Sequence, residues 1–72
     1  MEQHFQVFAR FRLCPRRDVQ PAHVFWATGG DIIAYEKFDA DRQPPKDADT
    51  AFVSIEDYWR LTTLIANAEA CR

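Results

Sequence analysis

Glycine is scarce in this sequence: Gly29 and Gly30 are the only two among 72 residues. Disorder is therefore expected only at the ends and in one loop. Cysteine is also scarce. Cys14 and Cys71 stand too far apart for a C-x-x-C redox motif and match no zinc-ligand spacing. They are expected to be reduced thiols in a cytosolic protein. A bridge between them requires the end of the first strand to meet the end of the helix. No apolar run reaches the length of a membrane span. The opening MEQHFQ has an acid and no apolar core, unlike a secretory leader. These features read as a soluble, cytoplasmic chain without a membrane role.

Apolar residues make up 47% and aromatics 14%, enough for a core, and charged residues at 28% with a net charge of only −2 argue against a wholly disordered chain. A chain this short buries a modest share of its surface and forms one domain, residues 1–72. Net charge is only −2, which is too mild to declare a nucleic-acid protein, but it is unevenly spread. Residues 1–17 carry Arg10, Arg12, Arg16 and Arg17 against Glu2, a sum of +3, leaving −5 for the rest. Such polarity can orient a molecule on a partner.

Residues 4–14, HFQVFARFRLC, alternate with period two, which predicts a half-buried strand. Phe5, Val7, Ala9, Phe11 and Leu13 would share one face, and Gln6, Phe8, Arg10, Arg12 and Cys14 the other. After the polar PRRDVQP, two β-prone runs, 22–28 and 31–38, flank Gly29-Gly30 and predict a tight hairpin. A two-residue turn would set Thr28 opposite Asp31, Trp26 opposite Ile33, Val24 opposite Tyr35, Phe25 opposite Ala34 and His23 opposite Glu36. Both hairpin faces are apolar near the turn. Residues 39–50 form a polar loop around Pro44-Pro45.

The stretch FVSIEDYWRL, residues 52–61, reads as a strand entering a helix capped by Ser54, with Glu56 and Asp57 suiting the helix dipole. The helix is expected from Ile55 to about Ala70. Ile55, Tyr58, Thr62, Ile65 and Glu69 would face the sheet, flanked by Trp59 and Ala66. Leu61, Leu64 and Ala68 would form a spare apolar edge. The run resembles the strand–Ser–helix segment of Phd/YefM-type antitoxins over Phe52 to Leu61, and no functional residue is carried over from that family. In size and layout the chain is similar to small phage or mobile-element inhibitors, anti-CRISPR proteins among them.

Nothing in the sequence assembles a catalytic site. His4 and His23 are the only histidines, and neither has a nucleophile and an orienting group at a readable spacing. Asp39, Asp41, Asp47 and Asp49 cluster in the loop but lack the glycine and distal glutamate of a calcium loop. No metal, cofactor or enzymatic activity is therefore expected.

The expected fold is α+β: a three- to four-stranded, mainly antiparallel sheet with one C-terminal helix packed on one face, βββα or βββ(β)α. The leading functional expectation is a non-enzymatic protein-binding module, a phage or mobile-element inhibitor or accessory factor acting by steric occlusion of a host protein. Arg10, Arg12, Arg16 and Arg17 would supply charge, and Leu61, Leu64 and Ala68 an apolar edge. The alternatives are a small nucleic-acid-binding or regulatory protein using the same arginines, and a structural homodimer.

Overall fold

A computed structural model of the chain describes residues 7–38, 43–64 and 69–71. The small α+β expectation holds. Strands β1 (Arg12–Pro15), β2 (His23–Thr28), β3 (Asp31–Lys37) and β4 (Thr50–Val53) precede one helix, α1 (Ile55–Leu64), and a two-residue strand, β5 (Glu69–Ala70). The sheet order is β3-β2-β4-β1-β5. β2 is antiparallel to β3 and to β4, whereas β1 runs parallel to both β4 and β5.

The expected first strand is much shorter than its alternation suggested. Residues 4–6 of that expectation lie outside the described residues, Val7–Arg10 form a 3-10 turn, and only Arg12 onward joins the sheet. The turn is closed by Phe11 N–H donating to the Phe8 carbonyl at 3.1 Å. The physical reason is burial. A strand would send Phe8 and Phe11 to opposite faces, while a 3-10 turn brings residues three apart to the same side. Both phenylalanines thereby reach Trp26, at ring-centroid distances of 5.6 and 4.9 Å.

The hairpin forms at Gly29-Gly30, whose φ values of +56° and +90° are the left-handed conformations that a tight turn needs. Its register holds at Thr28↔Asp31 and then slips by one. A bulge leaves Ile33 unpaired, so Trp26 meets Ala34, Phe25 meets Tyr35, Val24 meets Glu36 and His23 meets Lys37. The slip has a chemical counterpart: Trp26 Nε1–H donates to Glu36 Oε2 at 2.8 Å, which gives the buried indole its partner.

The core lies on one side of the sheet. Leu13, Val24, Trp26, Ala51 and Val53 point toward Phe8, Phe11 and the helix residue Leu61. The helix starts as expected, with Ser54 Oγ accepting from Asp57 N–H at 3.1 Å. Its rotation and its end differ from expectation. Ile55 and Trp59 point outward, at 43% and 66% exposure, while Leu61 is fully buried. Asp57 explains the rotation. Its buried carboxylate accepts from Ala22 N–H at 2.7 Å and pairs with Arg60, fixing the helix to the loop before β2. Ala22 itself is held at φ +67°. The helix is described over Ile55–Leu64 and does not reach Ala70, because Glu69–Ala70 form β5; Ile65 and Ala66 lie outside the described residues.

The reduced-thiol expectation is overturned. Cys14 and Cys71 form a disulfide, with Cα atoms 4.7 Å apart. The first strand does meet the end of the chain's path, through β5 rather than through the helix: Cys71 N–H donates to the Leu13 carbonyl at 3.1 Å.

Candidate functional site

The same period-two alternation that sends Val24 and Trp26 to the core sends His23 and Phe25 to the other face of β2. Phe52 stands directly beside Phe25 because β4 pairs with β2 in that register. Tyr35 flanks Phe25 on the other side, with ring centroids 4.3 Å apart, and His23 stacks on Tyr35 at 5.3 Å. Arg16, just past β1, folds back over this row. Its guanidinium carbon sits 4.9 Å from the Phe25 centroid and 5.3 Å from that of Phe52. Asp18 holds the guanidinium there, at 2.8 Å from Nε and 3.1 Å from Nη2. Among the described residues no helix packs on this face, so the row His23–Tyr35–Phe25–Arg16–Phe52 forms an open aromatic-cationic stripe across three strands.

One end of the stripe descends into a cleft of about 330 Å³, bounded by Arg12, Phe52, Asp49, the Gly29-Gly30 turn and the disulfide. Asp49 is the cleft's organising group. Its carboxylate accepts from Gly29 N–H at 3.0 Å and from the Thr50 hydroxyl at 2.8 Å, while its backbone bonds both Ala27 and Arg12. The Gly29 hydrogen bond first, then that of Thr50, and then the charge of Arg12 hold the Asp49 carboxyl below its ordinary value of 3.8. A second hollow of about 270 Å³ lies between Arg17, Val19, Pro21 and Ile55.

The four arginines singled out from sequence do not form one patch. Arg12 borders the cleft, Arg16 lies on the stripe, Arg17 lines the second hollow, and Arg10 is exposed at the end of the 3-10 turn. The proposed apolar edge also divides. Leu61 is a core residue and cannot face a partner, Leu64 is exposed at 52%, and Ala68 lies outside the described residues. His23 meets Lys37 and Tyr35 rather than Glu36. Its Nδ1 lies 3.1 Å from the Pro21 carbonyl. Sequence reasoning missed Phe52 as a surface group. Its neighbour Phe25 belongs to a distant segment, so no local pattern joins the two.

Among the described residues no group of three or more histidine, cysteine or acidic side chains is placed to hold a metal ion. No described helix is long and apolar enough to cross a membrane. The chain matches no known protein-family model, no curated protein and no solved structure.

Proposed function

We propose that this chain is a non-enzymatic protein-binding module whose working surface is the open face of the sheet. The observation that carries this reading is the stripe itself: Arg16 stacked across Phe25 and Phe52, with Tyr35 alongside. Arginine and tyrosine are the residue types that dominate binding energy at protein interfaces. Here Tyr35 is fixed on β3 and Arg16 is held by Asp18 and the two rings, so little side-chain freedom is lost when a partner docks. The action would be steric: a rigid small domain covers a partner's working surface, as an inhibitor or accessory factor does. The arginines contribute by steering and register rather than as one charged patch. Persistence of the Cys14–Cys71 bond favours an oxidising setting, which weighs against the cytoplasmic placement expected from sequence.

One observation favours a second reading. Phe25 and Phe52 are in direct register on neighbouring strands, and paired aromatic rings on a sheet also stack unpaired bases. A single experiment separates the two. The tagged chain, Phe52→Ala and Trp59→Ala are each used to capture partners, with and without nuclease. The protein reading expects one discrete species that survives nuclease, is lost with Phe52→Ala and persists with Trp59→Ala on the helix. Loss on nuclease treatment moves the function to nucleic acid. Capture that ignores Phe52→Ala removes the open face as the working surface.

A further inference from the structure

The Cys14–Cys71 disulfide walls the cleft beside the open face, together with Arg12, Asp49 and Phe52. Its two ends are held differently. Cys14 lies inside β1, 2% exposed, level with Phe52 on the neighbouring strand. Cys71 is partly exposed and follows the two-residue strand β5, which ends the sheet and pairs with β1 alone. Neither cysteine belongs to the core cluster around Trp26 and Leu61. A short strand at a sheet edge opens locally more readily than a core unfolds.

A disulfide is attacked at the sulfur a thiolate can reach, and the other sulfur departs faster the lower its thiol pKa. The cleft, about 330 Å³, admits a small thiol to the partly exposed Cys71 side. On the Cys14 side, Arg12 stands two residues away on the same face of β1 and lines the same cleft. A guanidinium so placed favours a departing thiolate. The Asp49 carboxylate shares the cleft, but Gly29 N–H and the Thr50 hydroxyl take up part of its charge.

We propose that this bond is an exchange site for low-molecular-weight thiols in the folded chain, with Cys71 attacked and Cys14 leaving. A thiol that has lost its proton to solvent forms a new S–S bond to Cys71 Sγ. The Cys14–Cys71 bond breaks, and its electron pair goes to Cys14. A second thiolate then attacks the first thiol's sulfur, releasing Cys71 as a thiolate and the small molecule as its disulfide. Two thiols are oxidised, and the protein takes up two electrons. This inference does not depend on what the open face binds.

The test follows loss of the bond in excess reduced glutathione, without denaturant, with samples quenched in acid and the adduct located by peptide mass mapping. Glutathione should be found on the Cys71 peptide, and the rate should rise in proportion to thiolate concentration. Leu61→Ala, far from the cleft in the core, separates native exchange from exchange after global unfolding. The global route would gain about a hundredfold from that substitution, whereas the native route stays within about twofold. Urea below the unfolding transition makes the same distinction in the unaltered chain. Arg12→Gln should slow exchange about threefold or more. A bond that resists glutathione until the chain is denatured overturns the proposal. So do a rate that climbs with urea or Leu61→Ala as stability falls, an adduct on Cys14, and a rate indifferent to Arg12→Gln.

Discussion

The two faces of the sheet are built from the same strands and held in different ways. On the helix side, Leu13, Val24, Trp26, Ala51 and Val53 are sealed under Phe8, Phe11 and Leu61, and burial of apolar area maintains the packing. On the open side, Phe25, Phe52 and Tyr35 remain partly exposed and are ordered by stacking, by the Arg16 guanidinium and by the disulfide at the rim. The contrast shows that the alternation along β2 and β4 does not by itself decide which aromatic becomes core and which becomes surface. That is decided by what arrives from elsewhere in the chain: a helix and a 3-10 turn on one side, and one arginine on the other.

The comparison can be broken most severely at its covalent rim. Cys14 and Cys71 are separated by 57 positions, and releasing a loop of that length from a cross-link costs about 4 kcal/mol in the chain-entropy account. Cys71→Ser should therefore show that loss in a denaturant titration against the oxidised parent. Next comes the sealed face. Leu61→Ala empties a fully buried site and should cost about 3 kcal/mol, with partner capture by the folded fraction unchanged. The smallest effect concerns Asp49. Its folded pKa is depressed, so the stability it contributes is fully present above the unfolded value of 3.8 and is lost as pH falls through the lower, folded value. Asp49→Asn should flatten that acid limb of the stability profile below about pH 4 while leaving the curve's shape near neutrality unchanged.

Much of the architecture was legible because it is local. The Gly29-Gly30 turn, the Ser54 cap and the entry of β4 into the helix each depend on neighbours in sequence. What escaped was set by distant partners. Alternation over 4–14 concealed a 3-10 turn because Trp26 gathers Phe8 and Phe11 to one side. The helix wheel was rotated because Asp57, which reads as a dipole-suited first-turn acid, is buried to satisfy the Ala22 amide. Leu61 therefore moved from the expected partner edge into the core. The candidate site was the least legible part. In the sequence Arg16 reads only as a charge, yet its position depends on Phe25 and Phe52, which meet only when β4 pairs with β2.

The place of β1 in the sheet has a consequence for synthesis. Both of its neighbours, β4 and β5, are translated long after it, and so is Cys71, 57 positions beyond Cys14. The β2–β3 hairpin can close while the chain is still being made. β1 must wait for Thr50–Val53 to clear the ribosome, and its outer edge and its cysteine stay unmatched until Glu69–Ala70 and Cys71 have followed.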